Sequence, residues 1–445
     1  MRKLKCWPAA LAALAVCPVV NAQSVNPGIE VLSNEKAAIA IQGRGQMIGL
    51  GEIVPDPVRD NARVFLFVKQ ARLGFKGRAE GFKFDVQAAF GGENVAGTNT
   101  DLGLLDFVAD VPLRRMGENT VLKVGQFRVP YSREGLTDRG YMNFAERSIM
   151  NMASYQGRDY GLALQTRAGN FVGAAGVFSG GGRDVPQRYL PERLGVPEIA
   201  VRLGYDDGVD DEIYRVKGTE FDIQRSKKAA YLNVLYMQDT LIGHSTVLNV
   251  RTIDKNLLIN SNYNQFIAAG PAGAAGTPTT LQRGRIFFVG GDAVLRHPLG
   301  QGSAVELEVE GNYGGYENRY GVLHIAGARA QGAYRQGPYQ AGVRYAALML
   351  DPRAGLRTTG FKASPGAGST MHEITPALTW HIKGHNLKVV ADAPVYLNMP
   401  IYIERGVGAY VFANQPDQIT VLTGAGANTR RTTIVQGRMM FQFMF

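Results

Sequence analysis

Five arginines crowd one stretch of this 445-residue chain: Arg128, Arg133, Arg139, Arg147 and Arg158, against three carboxylates, Glu134, Asp138 and Glu146. Cations gathered around water offset the cost of partly dehydrating an anion, so this surplus is suited to attracting anions. The bland alternatives are an external loop that touches lipopolysaccharide, or arginines neutralised by the neighbouring carboxylates. Glu306, Glu308 and Glu310 form a second charged row, spaced two apart as on one face of a strand. His381 and His385 are four apart, but they flank Lys383-Gly384 in a strand context. A metal motif needs that spacing on a helix, so they read as solvated turn histidines. Gly43-x-Gly45 lies inside a strand pattern with no helix after it, which rules out a phosphate-cradling turn. The chain contains no G-x-S-x-G, P-loop or H-E-x-x-H pattern. No catalytic residue and no cofactor are expected.

The elements that must carry these side chains have a period of two. Phe82, Phe84, Val86, Ala88 and Phe90 alternate with Lys83, Asp85 and Gln87. Leu105, Phe107, Ala109 and Val111 oppose Asp106 and Asp110, while Val305, Leu307, Val309 and Tyr313 oppose the glutamate row. Tyr339, Ala341, Val343 and Tyr345 oppose Gln340, Gly342 and Arg344. A soluble sandwich would turn the apolar face inward, whereas a barrel in lipid would turn it outward around a watery lumen. Periodicity alone does not separate the two.

The ends of the chain favour the barrel. Arg2, Lys3 and Lys5 precede an apolar run from Pro8 to Val20, and Val20-Asn21-Ala22 sets small residues before a cut ahead of Gln23. Residues 1–22 therefore read as a cleaved export signal, although Leu14-Ala15-Val16-Cys17 also resembles a lipobox. Cys6 and Cys17 both lie in this segment, so the mature chain would have no disulfide, thiolate metal site or cysteine nucleophile. At the other end Val435, Gly437, Met439, Phe441, Phe443 and Phe445 alternate with Gln436, Arg438, Met440, Gln442 and Met444. A terminal aromatic strand of this kind resembles the signal read by the outer-membrane assembly machinery, with Phe445 as its last residue.

Composition agrees. Losing the three cations of the signal takes the formal charge from +10 to +7. No run of about 18 charge-free apolar residues follows it, which argues against membrane helices. The 55 glycines, 19 tyrosines and 20 phenylalanines suit short tilted strands with aromatic girdles. The expected fold is all-β: residues 23–36 form a short polar lead, and 37–445 form one transmembrane antiparallel β-barrel of 16 to 18 strands, 16 by preference. Glu80-Gly81 and Lys383-Gly384 mark tight periplasmic turns, and 179–197 and 268–280 mark external loops.

One stretch is more specific. Residues 124–148, VGQFRVPYSREGLTDRGYMNFAERS, and 68–90, VKQARLGFKGRAEGFKFDVQAAF, resemble the phosphate-selective porin O and P family over about residues 40–165. The resemblance implies a 16-stranded trimeric barrel whose third loop folds inward and narrows a pore. It places the family's anion-binding arginine on Arg147, its pore aspartate on Asp106 and a ladder arginine on Arg44. The family's adjacent arginine pair falls on Lys69 and Gln70, its central lysine on Gly135 and its pore serines on Asp138 and Arg139, so half the phosphate cage is replaced. Alternation puts Lys69 on the apolar side with Phe67 and Ala71 unless a bulge intervenes. The resulting expectation is a homotrimeric porin in outer-membrane lipid and lipopolysaccharide. It would pass small anionic or neutral solutes with modest anion preference, phosphate being one candidate. Arg147, Arg139, Arg44, Lys69, Asp106, Arg128 and Arg133 would line the pore. An outer-membrane barrel enzyme and a secreted binding sandwich are the alternatives. Nucleic acid is not an expected partner.

Overall fold

Backbone pairing in the computed structural model closes on itself. The structure describes residues 28–445 apart from 35, 55–60, 93–101, 118, 155–156, 181–195, 211–212, 215, 217, 222, 243–280, 301, 319–320, 354–369, 405–407 and 411–427. The expected export signal, 1–22, and the stretch 268–280, expected as an external loop, lie outside the described residues, as does nearly all of 179–197. In chain order the strands are β1 (Ile29–Ser33), β2 (Ala37–Val54), β3 (Asn61–Ala79), β4 (Phe82–Gly92), β5 (Leu102–Pro112) and β6 (Val121–Arg128). They continue as β7 (Arg158–Ala168), β8 (Phe171–Phe178), β9 (Val196–Asp206), β10 (Lys227–Ile242), β11 (Leu281–Gly300), β12 (Ser303–Asn318) and β13 (Gly321–Gln336). The last are β14 (Tyr339–Arg353), β15 (Thr370–His385), β16 (Leu387–Asp392), β17 (Val395–Glu404), β18 (Gly408–Tyr410) and β19 (Asn428–Met444).

From β2 to β15 each strand pairs antiparallel with the next. β15 then pairs with both β16 and β17, both pair with β19, and β19 returns to β2. β16 and β17 are two halves of one strand interrupted at Ala393-Pro394, where proline offers no N–H to the ladder. The barrel thus has sixteen strands. Closure leaves no open edge, the condition for a sheet surrounded by lipid. Among the described residues no helix is long and apolar enough to cross a membrane.

Burial answers the question that periodicity left open. Leu307 and Val309 are 49% and 53% exposed, whereas Glu306, Glu308 and Glu310 are 6%, 5% and 4% exposed. The charged face is inside and the apolar face outside, the reverse of a soluble sandwich. Stacked pairs on the outer wall, Tyr313 with His324 and Tyr345 with His372 towards one rim and Tyr339 with Trp380 towards the other, form aromatic belts.

Two departures from strict alternation are β-bulges. Gln46 faces Gln70 and Met47 faces Val68, so Lys69 is the extra residue and both Lys69 and Gln70 are buried inside. Gln87 faces Asp106 and Ala88 faces Leu104, which turns Leu105 inward and corrects its assignment to the Phe107 face.

The chain ends meet. Ile29–Ser33, read as part of a polar lead, pair with β2 beyond the point where β19 stops. Phe445 exchanges hydrogen bonds with Gly43, N–H to O at 3.1 Å and the reverse at 2.9 Å. A Cβ on Gly43 would sit 2.2 Å from Cζ of the Phe445 ring, so only glycine leaves room for it. Deleting Phe445 is therefore expected to lower the inserted fraction without blocking export. Heat-dependent gel migration of the membrane fraction checks this, and equal insertion would refute it.

Candidate functional site

The connection from β6 to β7, residues 129–157, is the third at its rim, and it crosses the barrel interior. Its first helix, α1 (Arg133–Leu136), starts at Ser132, whose hydroxyl accepts from Gly135 N–H at 3.1 Å. A 3₁₀ turn (Arg139–Tyr141) follows, begun by Asp138 Oδ1 accepting from Gly140 N–H at 2.8 Å. A second helix, α2, spans Ile149–Ser154.

This segment is fixed to the far wall. Glu134 accepts from Ser148 N–H and Oγ–H at 3.0 and 2.5 Å, and pairs with Arg344 at 3.3 Å and Arg329 at 3.7 Å. Arg133 reaches Asp292 on β11 at 3.0 Å and Asp210 at 2.6 Å. The backbone N–H groups of Ala145 and Ile149 donate to Asp392 and Glu373, each at 2.8 Å. Lys388 donates to Met142 O at 2.7 Å. On that wall Arg329 also pairs with Glu308 and Glu310, Arg296 with Glu306, Arg202 with Asp292, and Arg438 with Asp392. The glutamate row is therefore compensated locally, and its charge does not face open water.

The near wall differs. A cavity between the crossing segment and β2–β7 is lined by Arg44, Lys76, Lys123, Arg128 and Arg158, against Asp106 and Asp138. Arg158 holds Asp106 through two bonds at 2.9 and 2.8 Å. Asp138 pairs with Arg44 and, at 3.3 Å, with Arg128. Arg72, buried on β3, donates to the cavity-lining Gln87 Oε1 at 3.4 Å. Lys123 is paired with Asp110 at 2.5 Å and Gln42 donates to Asp85 at 2.9 Å beside this lining, so the five cations stand among four carboxylates and the path keeps a small positive surplus.

The expected residues thus divide. Arg44, Arg128 and Asp106 line the cavity. Lys69 is turned inward by the bulge, where it and Arg139 share Glu146. Arg133 is an anchor between the crossing segment and the far wall. Arg147 donates to the carbonyls of Glu134, Gly135 and Thr137 at 3.1, 3.4 and 3.0 Å, holding α1 in shape. Lys76, Lys123 and Arg72 were missed, although their inward parity on β3 and β6 was available in the alternation. His381 and His385 are not solvated. Both are buried, bonded to Gln340 Oε1 at 2.9 Å and Thr219 O at 2.7 Å, and packed on Phe221. What covers them is the connection from β9 to β10, residues 207–226, which folds inward from the opposite rim.

Burial by itself would raise the carboxyl pKa values in the crossing segment. Around Asp138 it is outweighed by Arg44 and Arg128, and around Glu134 by Arg329 and Arg344, so both are held below the ordinary range. Such groups stabilise the fold in full above their unfolded pKa, roughly 4, and lose that contribution as pH falls through the lower folded value. Channel current should therefore be steady from about pH 8 to 5 and become noisy only below about pH 4. Single-channel recording at stepped pH checks this; noise starting at pH 6 would contradict it.

Residues 55–197 match the family model described as phosphate-selective porin O and P, bearing out the resemblance over that stretch. Among solved structures the fold is similar to an anion-selective porin from Comamonas acidovorans, with a TM-score of 0.54 and 12% identity, over 92% of this chain and 100% of that one. It is also similar to OmpT, an outer membrane protein of Vibrio cholerae, with a TM-score of 0.52 and 9% identity over 93% and 99%. Salmonella typhi OmpF in complex with daunomycin gives 0.51 and 10% over 94% and 100%. No curated protein sequence matches the chain.

Proposed function

We propose that this outer-membrane porin is a passive channel for small hydrophilic solutes with a modest preference for anions, and that it performs no covalent chemistry. The observation that carries this reading is the lumen cavity in which Arg44, Lys76, Lys123, Arg128 and Arg158 stand among Asp85, Asp106, Asp110 and Asp138, a small cationic surplus beside a far wall whose charges are mutually paired. Fixed positive charge beside water concentrates anions, and partial pairing with Asp106 and Asp138 keeps the preference modest. The anion-selective porin of similar fold is in keeping with this. Three such barrels packed side by side through their lipid-facing walls are the expected assembly, which cross-linking in mild detergent reads directly. In this reading the short turns face the periplasm and the crossing segment enters from outside.

Phosphate recognition is expected to be weak. Gln70 stands where the family carries a second arginine, and Gly135, in α1, stands where it carries a lysine. Titrating phosphate into chloride across a bilayer tests this: chloride conductance should fall only slightly. Tight block would show that Arg44, Arg72 and Arg128 suffice as a cage.

A further inference from the structure

The connection 207–226 is fixed inside the barrel at several described residues. Asp206 accepts from the N–H groups of Gly208, Val209 and Asp210 at 2.8, 2.6 and 3.1 Å, curling the chain inward. Arg296 donates to Val209 O at 3.0 Å and Arg335 to Phe221 O at 2.8 Å. Val216 bridges Thr137, and Thr219 donates to Asn143 at 2.6 Å. Gly218 lies so close to the 3₁₀ turn that a Cβ would fall 1.7 Å from Tyr141 O. The two segments, entering from opposite rims, therefore meet and bound the path together.

Tyr214 is carried into the lumen cavity by this connection. Its ring packs edge-on against Phe127, with centroids 5.4 Å apart. The Lys123 ammonium, paired with Asp110 at 2.5 Å, lies 5.4 Å from the Tyr214 ring centre. Tyr214 is 5% exposed, yet its hydroxyl has no hydrogen-bond partner among the described residues. A buried hydroxyl without a partner is costly, and such groups call for a ligand or water to satisfy them.

We propose that the Tyr214 hydroxyl is a solute-binding donor at the periplasmic side of the constriction, where it donates to an oxyanion, inorganic or carboxylate, beside the Lys123–Asp110 pair. The proposal rests on the anion-channel reading above. With Lys123 held by Asp110, the tyrosine supplies the directional O–H···O⁻ bond. Burial, with Asp110 adding to it, pushes the hydroxyl pKa up, so the group remains a donor across the physiological range.

The test compares the full-length channel with Tyr214→Phe, which keeps the ring and its contact with Phe127, in sodium acetate and in potassium chloride. Conductance in acetate should saturate, and Tyr214→Phe should raise the half-saturating concentration about ten- to a hundredfold, the effect of losing one hydrogen bond to a charged group. The change in chloride should be smaller. Tyr214→Ala should in addition raise conductance in 1 M chloride by widening the path. An acetate half-saturation that is the same in Tyr214→Phe as in the unsubstituted channel overturns the assignment. The sign of the unsubstituted channel's reversal potential in a chloride gradient separately decides the reading on which it rests.

Discussion

Glu134→Ala is expected to give a wider and noisier channel in a barrel that remains intact. The Glu134 carboxylate is buried and binds both the N–H and the hydroxyl of Ser148, and it meets Arg344 and Arg329 across the lumen. Breaking a buried charge contact of this kind costs about 3–5 kcal/mol. The far wall keeps its own partners, because Arg329 retains Glu308 and Glu310 and Arg344 retains Glu373. The loss therefore falls on the crossing segment and not on the strand ladder. Single-channel conductance should rise with open-state flicker, while heat-dependent gel migration should keep its midpoint. Unchanged conductance would mean that Arg133, Ala145 and Ile149 hold the segment without Glu134. A collapsed gel shift would mean that the contact supports the barrel itself.

The second large effect concerns charge. Asp138 is shared by Arg44 and Arg128 within the cavity. Asp138→Asn removes one negative charge at constant shape, and Arg44→Ala removes one positive charge, so their effects should have opposite signs. A charge at a few ångströms in a partly aqueous site is worth about 1 kcal/mol, giving roughly a three- to tenfold change in the chloride-to-potassium permeability ratio at 0.1 M salt. Asp138→Asn should raise the ratio and Arg44→Ala should lower it. Both changes should shrink near 1 M, where screening acts over about 3 Å. Shifts of the same sign in the two variants would show that the segment had moved and that charge was not the cause.

Much of the fold was legible because a strand has a period of two residues, which Leu307 and Glu308 on β12 obey. What the alternation lacked was a sense of inside and outside. The signal-like first 22 residues and the terminal Phe445 favoured one in the sequence, and burial supplies it in the structure. Lys69 and Leu105 escaped because a bulge inserts one residue and reverses parity locally, an event with no strong mark in composition. The candidate site was half legible. The cluster from Arg128 to Arg158 was visible as a basic surplus, but each arginine's partner is set by the far wall, at sequence separations that spacing cannot reveal. Arg147, expected to face solute, donates to three carbonyls of its own segment, contacts that its spacing in the sequence does not announce. His381 and His385 looked solvated because nothing in 207–226 announces that it folds inward to cover them.

Anion preference through the path beside β2–β7 is the central claim, and one measurement bears on it most directly: the reversal potential of the unsubstituted channel in a planar bilayer under a potassium chloride gradient from 0.1 M. The expected result is a potential of the sign set by chloride, of modest size, that declines as both compartments approach 1 M. A potential of the sign set by potassium would place the carboxylates, not the arginines, at the narrowest point and contradict the account.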